Sequence, residues 1–422
     1  MLATARYGQA KREDLPVDIP PPPQMLEWIA SLPAGGPLLR ALGDETGVYL
    51  VGGAVRDLLL GGRPLDLDLV IEGDAAAVAA RIGDELVVHD RFGTSTVTVD
   101  GFTYDIARAR REEYARPGAL PDVRPAGIDE DLRRRDFTVN AIAVALAGSD
   151  AGRLRAAPQA LEDLDARLLR VLHDESFVDD PTRLLRLARY GSRLGFEIEP
   201  GTLALARQAV GQGALGTVSG PRIGAELRLL AREPDPVAAL LAARELGIDR
   251  AIHPRVGLSD ESLARRAMRL LPEDGRSDRL ALAAAGRAVP SPELEQVLDR
   301  LAFEAADRDA IVSAASGAEE LAGRLSEARR PSETADAVDG AGPEAVALAG
   351  ALGPEEAARD WLERLRHVKL QIGGRDLLEA GIPEGPAVGR ALHAALAAKL
   401  DGAAVGREAE LAAALRAATE TG

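Results

Sequence analysis

LVGGAVRDLLLGGRPLDLDLVI, residues 50–71, decides how this chain is read. The apolar run VYLV (48–51) predicts a strand that runs into Gly52-Gly53. A short helix follows, and LDLDLVI (65–71) predicts a second strand. In that strand Leu65, Leu67 and Leu69 alternate with Asp66 and Asp68, so the two carboxylates share one face about 6.6 Å apart along the chain. Two acids side by side repel unless a cation joins them. Glycine lets backbone approach a ligand closely, and a helix N-terminus offers free N–H groups to phosphate oxygens, which makes Gly52 and Gly53 candidate nucleotide-binding positions. Arg56, one turn into the helix, adds a planar fork of donors for phosphate. A bare DxD is usually a solvated strand face, and a GG pair counts for little among 43 glycines. Glycine pair, arginine and DxD within 17 residues instead fit a two-metal phosphoryl-transfer site. In such a site Mg²⁺, held by Asp66 and Asp68, bridges the attacking oxygen, the phosphate and the leaving group. FTYDIA (102–107) places Asp105 in a β-like run, as the natural third acid.

Composition bounds the alternatives. The chain has 422 residues, no Cys and five His, so disulfide scaffolds, thiol nucleophiles and Cys-ligated zinc are excluded, and the setting expected is cytoplasmic. The histidines at 89, 173, 253, 367 and 393 show no HExxH spacing, which leaves carboxylates to hold any metal. His89-Asp90 and His173-Asp174 are isolated pairs without the further ligands of an HD-type phosphohydrolase site. The opening MLATARYGQAKRED lacks an apolar core, and no stretch approaches the ~20 apolar residues of a membrane span, so neither signal peptide nor membrane association is expected. Nothing in the sequence calls for a protein partner.

The expected organisation is a leader over 1–47, containing the helical LEWIASL, and an α/β domain over 48–146. An all-α remainder follows as a neck (147–235), a body (236–290) and a tail (291–422), with joints at Gly211–Gly220, Arg287–Pro292 and Arg330–Pro343. EDLRRRDFTVNAIAVAL (130–146) opens with charge and reads as ending in an apolar helix. There Arg134 and Arg135 reach for phosphate or ribose, Asp136 orients them, and Asn140 lies one turn beyond Asp136. The stretch 109–130, with three Pro and two Gly, reads as a long loop. In ESFVDDPTRLLRLARYGSRLGF (175–196), Arg183, Arg186, Arg189, Tyr190 and Arg193 share one helical face opposite Leu184, Leu185, Leu187, Ala188 and Leu194. Asp180 suits its cap and Pro181 its first turn. Four arginines with no acid among them favour an anionic partner.

GGAVRDLLLG…DLDLV followed by RRDFTVNAIA closely resembles the class II tRNA nucleotidyltransferases (the CCA-adding enzymes) and their relatives the A-adding, CC-adding and bacterial poly(A) polymerases. The resemblance implies a polymerase-β-like nucleotidyltransferase head followed by an all-α neck, body and tail. It implies catalysis by Asp66, Asp68 and Asp105, Mg²⁺ at Asp66 and Asp68, and nucleotide contacts from Gly53, Arg56 and Arg135. The family's base-reading EDxxR motif matches Asp179, Asp180 and Arg183, with Asp in place of the first Glu, and Arg186 and Arg189 match its further nucleotide contacts. A carboxylate that accepts from the exocyclic amine of C or A, and an arginine that donates to their acceptors, reject U and G by leaving groups unpaired. The implied activity is addition of C and/or A from CTP and ATP to the tRNA 3′ end. In the family a loop at 109–130 helps switch from C to A and is shortened in CC-adding members, so its presence here favours addition of the terminal A. SGPRIGAELRLLARE (219–233) resembles the helix after the neck, with Pro221 where an acid is usual, and 370–396 resembles a tail segment that docks tRNA.

Two rivals remain, a poly(A) polymerase and a non-catalytic RNA-binding protein on the same scaffold. The first would favour a basic tail, but residues 291–422 carry 14 Lys+Arg against 24 Asp+Glu. The second conflicts with the presence of both metal carboxylates. The formal charge of −16 does not exclude RNA, because binding is set by local patches; it argues against unselective polynucleotide binding.

Overall fold

The computed structural model describes residue 17 and residues 19–83, 85–89 and 94–420. Residues 1–16 of the expected leader, and Asp90 of the His89-Asp90 pair, lie outside the described residues. Two compact units meet between Val218 and Ser219, in the glycine-rich stretch 211–220 and within the segment 147–235 read as neck.

The first unit is built on a seven-stranded sheet. Its strands are β1 (Val48–Val51), β2 (Leu69–Ile71), β3 (Glu85–His89), β4 (Thr94–Val99), β5 (Phe102–Arg108), β8 (Ile142–Ala145) and β9 (Leu154–Ala156). They lie in the order β3-β4-β5-β2-β1-β8-β9, antiparallel except for β2 with β5. Helices α1 (Pro22–Ala30), α2 (Gly35–Leu42), α3 (Gly53–Leu59), α4 (Ala75–Ile82) and α5 (Ile128–Arg133) accompany it. The central strands β1, β2 and β8 are buried along their whole length, as expected of strands covered on both faces.

Three sequence expectations are corrected here. The second strand begins at Leu69, and Leu65–Asp68 precede it as extended chain. The pairing nonetheless continues one step, since Val51 N–H donates to the Asp68 carbonyl at 3.1 Å. The apolar end of 130–146 is strand β8, reached through a 3₁₀ turn at Thr138–Asn140; a short run buried all round has no periodicity that separates helix from strand. The stretch 109–130 is an ordered ribbon, β6 (Arg110–Glu113) paired with β7 (Asp122–Pro125), followed by α5. The stretch 175–196 divides into α7 (Ser176–Asp179) and α8 (Thr182–Leu194), which follow α6 (Ala160–Asp165) and a short strand β10 (Leu168–Leu169).

The second unit is helical. Its first helix, Gly220–Ala231, approaches the end of helix Ser291–Arg300 along the face of Gly220, Gly224 and Arg228. A Cβ on Gly224 would collide with the Leu301 carbonyl, and one on Gly220 with that of Arg300. Arg228 donates to the Ala302 carbonyl at 3.1 Å and lies 4.9 Å over the Phe303 ring, a favourable charge for the C-terminal end of a helix. Gly224→Ala is therefore expected to destabilise this unit by about 2 kcal/mol despite the better helix former, because the backbone it strikes cannot rotate away. A lower urea midpoint with an unchanged slope is the check.

Candidate active site

The functional residues gather at one end of the sheet because of its register. Leu69 pairs with Ile106 and Leu50 with Leu69, which sets Asp68 between Asp105 on β5 and Val51 on β1. Leu67 and Leu69 are buried while Asp66 and Asp68 are exposed, so the two acids lie on the open side; Leu65, 67% exposed, falls outside the alternation. Asp105 also faces out, accepting from Thr96 Oγ1 at 2.8 Å. The crowded sheet end, and then the charges of Asp105 and Asp66, push the Asp68 carboxyl above its ordinary value, against the pull of Arg135. A group so placed is eased by a cation. The donors are all hard carboxylate oxygens. Among the described residues no three His, Cys, Asp or Glu side chains form a group that could by itself hold a metal ion, so a divalent ion here would take one or two carboxylates and complete its shell with water and phosphate. The residues fit a divalent metal.

The glycine turn stands beside these acids. Gly52 has φ +68°, a left-handed conformation that glycine adopts without strain, and its N–H donates to the Ile142 carbonyl at 2.9 Å. A Cβ there would come within 2.9 Å of Arg135 Nη1. Gly53 opens α3, and Arg56 ends its first turn almost wholly buried. Its fork is engaged within the protein: Nη1 donates to Asn140 Oδ1 at 2.6 Å and Nε to Asp57 at 2.9 Å.

Asp136 does not orient Arg134 and Arg135, as the sequence suggested. Its carboxylate accepts from Arg186 Nη2 at 2.6 Å and Nε at 2.8 Å, from Asn140 Nδ2 at 3.0 Å, and from the Phe137 N–H. Burial alone would raise its pKa, but the Arg186 charge and these hydrogen bonds bring it down to about 2. The two neighbouring arginines are held instead by Asp131, a fully buried acid on α5, which accepts from Arg134 Nη2 at 2.7 Å and Arg135 Nη2 at 3.1 Å. The ribbon residue Glu112 takes a further bond from Arg134 at 2.9 Å. The i,i+3 and i,i+4 spacing of Asp131 to these arginines was the available signal. Buried Arg135 Nε has no hydrogen-bond partner among the described residues, and burial lowers the pKa of this guanidinium.

At the α7–α8 corner the N-cap is Pro181 rather than Asp180, whose Oδ1 accepts from the Thr182 N–H at 3.1 Å and its hydroxyl at 2.6 Å from one position further out. Arg183 is buried, donating to Ser176 Oγ at 2.6 Å and to the Arg134 carbonyl at 2.7 Å. His173 lies 4.0 Å from Asp179, and burial and the Arg183 charge lower its pKa. Arg111, Tyr114, Arg134, His173, Asp179 and Arg183 line a cavity of about 270 Å³. Arg186 and Arg189 follow along α8, packed round Tyr190. The structure thus brings Asp66, Asp68, Asp105, Gly52, Gly53, Arg56, Arg135, Asp136 and Asn140 together at the sheet end. Arg186 of α8 joins them through Asp136, while Arg183 and Asp179 line the cavity and Asp180 stands next to them in the chain.

Residues 48–170 match the family described as Poly A polymerase head domain. The chain is 35% identical over 415 residues to an A-adding tRNA nucleotidyltransferase of Geobacter sulfurreducens, covering 90% of this chain but 46% of that protein. It therefore spans less than half the length of that relative. Over 386 residues it is also 35% identical to a CC-adding tRNA nucleotidyltransferase of Deinococcus radiodurans, covering 88% of this chain and 87% of the other. The solved structure of the Thermotoga maritima CCA-adding enzyme complexed with tRNA superposes with a TM-score of 0.75 at 30% identity, covering 94% of this chain and 98% of that one. The fold expected from residues 50–71 thus recurs across nearly the whole length of such enzymes, and this chain belongs to the tRNA nucleotidyltransferase family.

Proposed function

We propose that the chain is a Mg²⁺-dependent, template-independent nucleotidyltransferase that completes or repairs the CCA end of tRNA in the cytoplasm. The observation that carries this is the set of Asp66, Asp68 and Asp105 on one open sheet end, next to the Gly52 turn. The tRNA 3′ oxygen forms a bond to the α-phosphorus of CTP or ATP, the α–β bridging bond breaks, and pyrophosphate leaves. Asp66 and Asp68, with Asp105 beside them, would hold the divalent metal, which when bound supplies charge stabilisation and lowers the pKa of the 3′ hydroxyl. Gly52 and Gly53 let the phosphates approach the backbone, and Arg56, Arg135, Arg186 and Arg189 supply the positive charge they meet. Asn140 and Asp136 position Arg56 and Arg186 for that task. Asp180 accepts from the exocyclic amine of C or A, and Arg183, which lines the cavity, donates to their acceptors.

Relatives that add A and relatives that add CC are equally similar over comparable lengths, so identity does not separate these activities. The intact β6–β7 ribbon, with Glu112 gripping Arg134, supports an enzyme that adds the terminal A, alone or after both C residues. The test uses tRNA transcripts that lack the last three nucleotides or the terminal A only, and transcripts that are complete. Each is incubated with CTP, ATP or both, and products are resolved at single-nucleotide length. A single A on the C-ended transcript supports the reading, incorporation that stops after two C residues overturns the A-adding part, and long A tracts identify a poly(A) polymerase.

A further inference from the structure

Three guanidiniums surround one aromatic ring beside the proposed triphosphate site. The Cζ atoms of Arg56, Arg186 and Arg189 lie 5.7, 5.5 and 4.7 Å from the centroid of Tyr190. Arg56 comes from the helix that opens at the glycine turn, the other two from α8, so the ring is where the two elements share their positive charge. Phe137 meets it edge-on, with centroids 5.9 Å apart and planes at 85°, and Arg186 Nη2 donates to its hydroxyl at 3.3 Å.

Gathering like charges needs a counterweight. A carboxylate would supply one but would also neutralise the arginines and compete with an incoming phosphate. The face of a ring attracts cations through its quadrupole while carrying no net charge. Asp57 pairs with Arg56 through Nε and Nη2, and Asp136 pairs with Arg186 through Nε and Nη2, so carboxylates fix the guanidiniums that the ring gathers. We propose that Tyr190 is a positioning residue for nucleotide binding: an uncharged platform that holds Arg56, Arg186 and Arg189 together beside the triphosphate site. This rests on the assignment of those arginines to the nucleotide.

The experiment compares Tyr190→Phe, which keeps the ring, with Tyr190→Leu, which removes it. Variants are used only if their thermal transition stays near that of the parent, with Tyr190→Met replacing the leucine variant otherwise. Tyr190→Leu is expected to raise KM for CTP and ATP, and the inhibition constant of inorganic tripolyphosphate, by about tenfold, with kcat within about threefold of the parent. CMP, which lacks the β- and γ-phosphates, should inhibit both proteins alike, and Tyr190→Phe should match the parent. Unchanged KM and tripolyphosphate inhibition in Tyr190→Leu overturns the proposal, as does a Tyr190→Phe variant as impaired as the leucine one. If the parent extends no tRNA, the functional reading fails instead, and calorimetric titration of parent and variants with tripolyphosphate still decides the role of the ring.

Discussion

Replacing both Asp66 and Asp68 with Ala is expected to cut nucleotide incorporation by roughly a thousandfold or more while tRNA binds as before. Loss of one preorganised charge-stabilising group in an active site typically costs about 10²–10³ in rate, and here the two principal donors for the metal go together. Leu67 and Leu69 carry the burial of this segment, and Asp66 and Asp68 are exposed. Stability should therefore not fall. It should rise slightly in the single variant Asp68→Asn, because the Asp68 carboxyl titrates above its ordinary value, held there by its surroundings and by Asp105 and Asp66. A carboxyl whose folded pKa is raised costs stability once pH exceeds that folded value, and the cost disappears as pH falls below the unfolded value. Single-turnover extension of labelled tRNA, filter binding and a thermal melt at neutral pH check the three parts. Parent-like extension by the double variant would remove these aspartates from the mechanism.

Asp136→Ala is expected to cost about 2–3 kcal/mol, enough to lower the melting transition of the first unit by several degrees. Removing one partner of a buried pair leaves the other charge uncompensated, and here the loss spreads. Arg186 loses both bonds to the carboxylate, Asn140 loses the acceptor that orients its amide, and through Asn140 the buried Arg56 loses its anchor. Arg186 is 30% exposed, so water recovers part of the penalty, which places the value at the low end for buried pairs. The acid dependence has a definite sign. The folded pKa of about 2 lies below the ordinary 3.8, so the stabilisation is fully present above about pH 4 and is lost as pH falls towards 2. The gap in unfolding free energy between the parent and Asp136→Asn should close by about 2 kcal/mol between pH 5 and pH 2. A gap that does not depend on pH would mean the carboxylate is not the titrating group.

Much of the site was legible because its chemistry is local. The burial of Leu67 and Leu69 leaves Asp66 and Asp68 on the open side whether the segment is formal strand or extended chain, so neither the late start of β2 nor the exposed Leu65 changes their placement. The Gly52 turn and Arg56 are likewise set by neighbours along the chain. What could not be read was which partner each charged group would choose. Asp136 was assigned to its neighbours Arg134 and Arg135, yet it joins Arg186, 50 residues away, while Asp131 takes the neighbours. The run AIAVAL read as a helix because its burial on both faces comes from the sheet around it. Tyr190 looked like one more residue on a basic stripe until Arg56 was seen beside it.

By itself, then, the sequence determined where the proposed acids and the glycine turn lie, and so the reaction class proposed for them, since strand alternation and glycine turns act over a few residues. Only the tertiary structure decided how the arginines are shared among Asp131, Asp136, Glu112 and Tyr190. A buried guanidinium pairs with whatever acceptor the fold brings within about 3 Å, and that distance is fixed by strand order and helix packing.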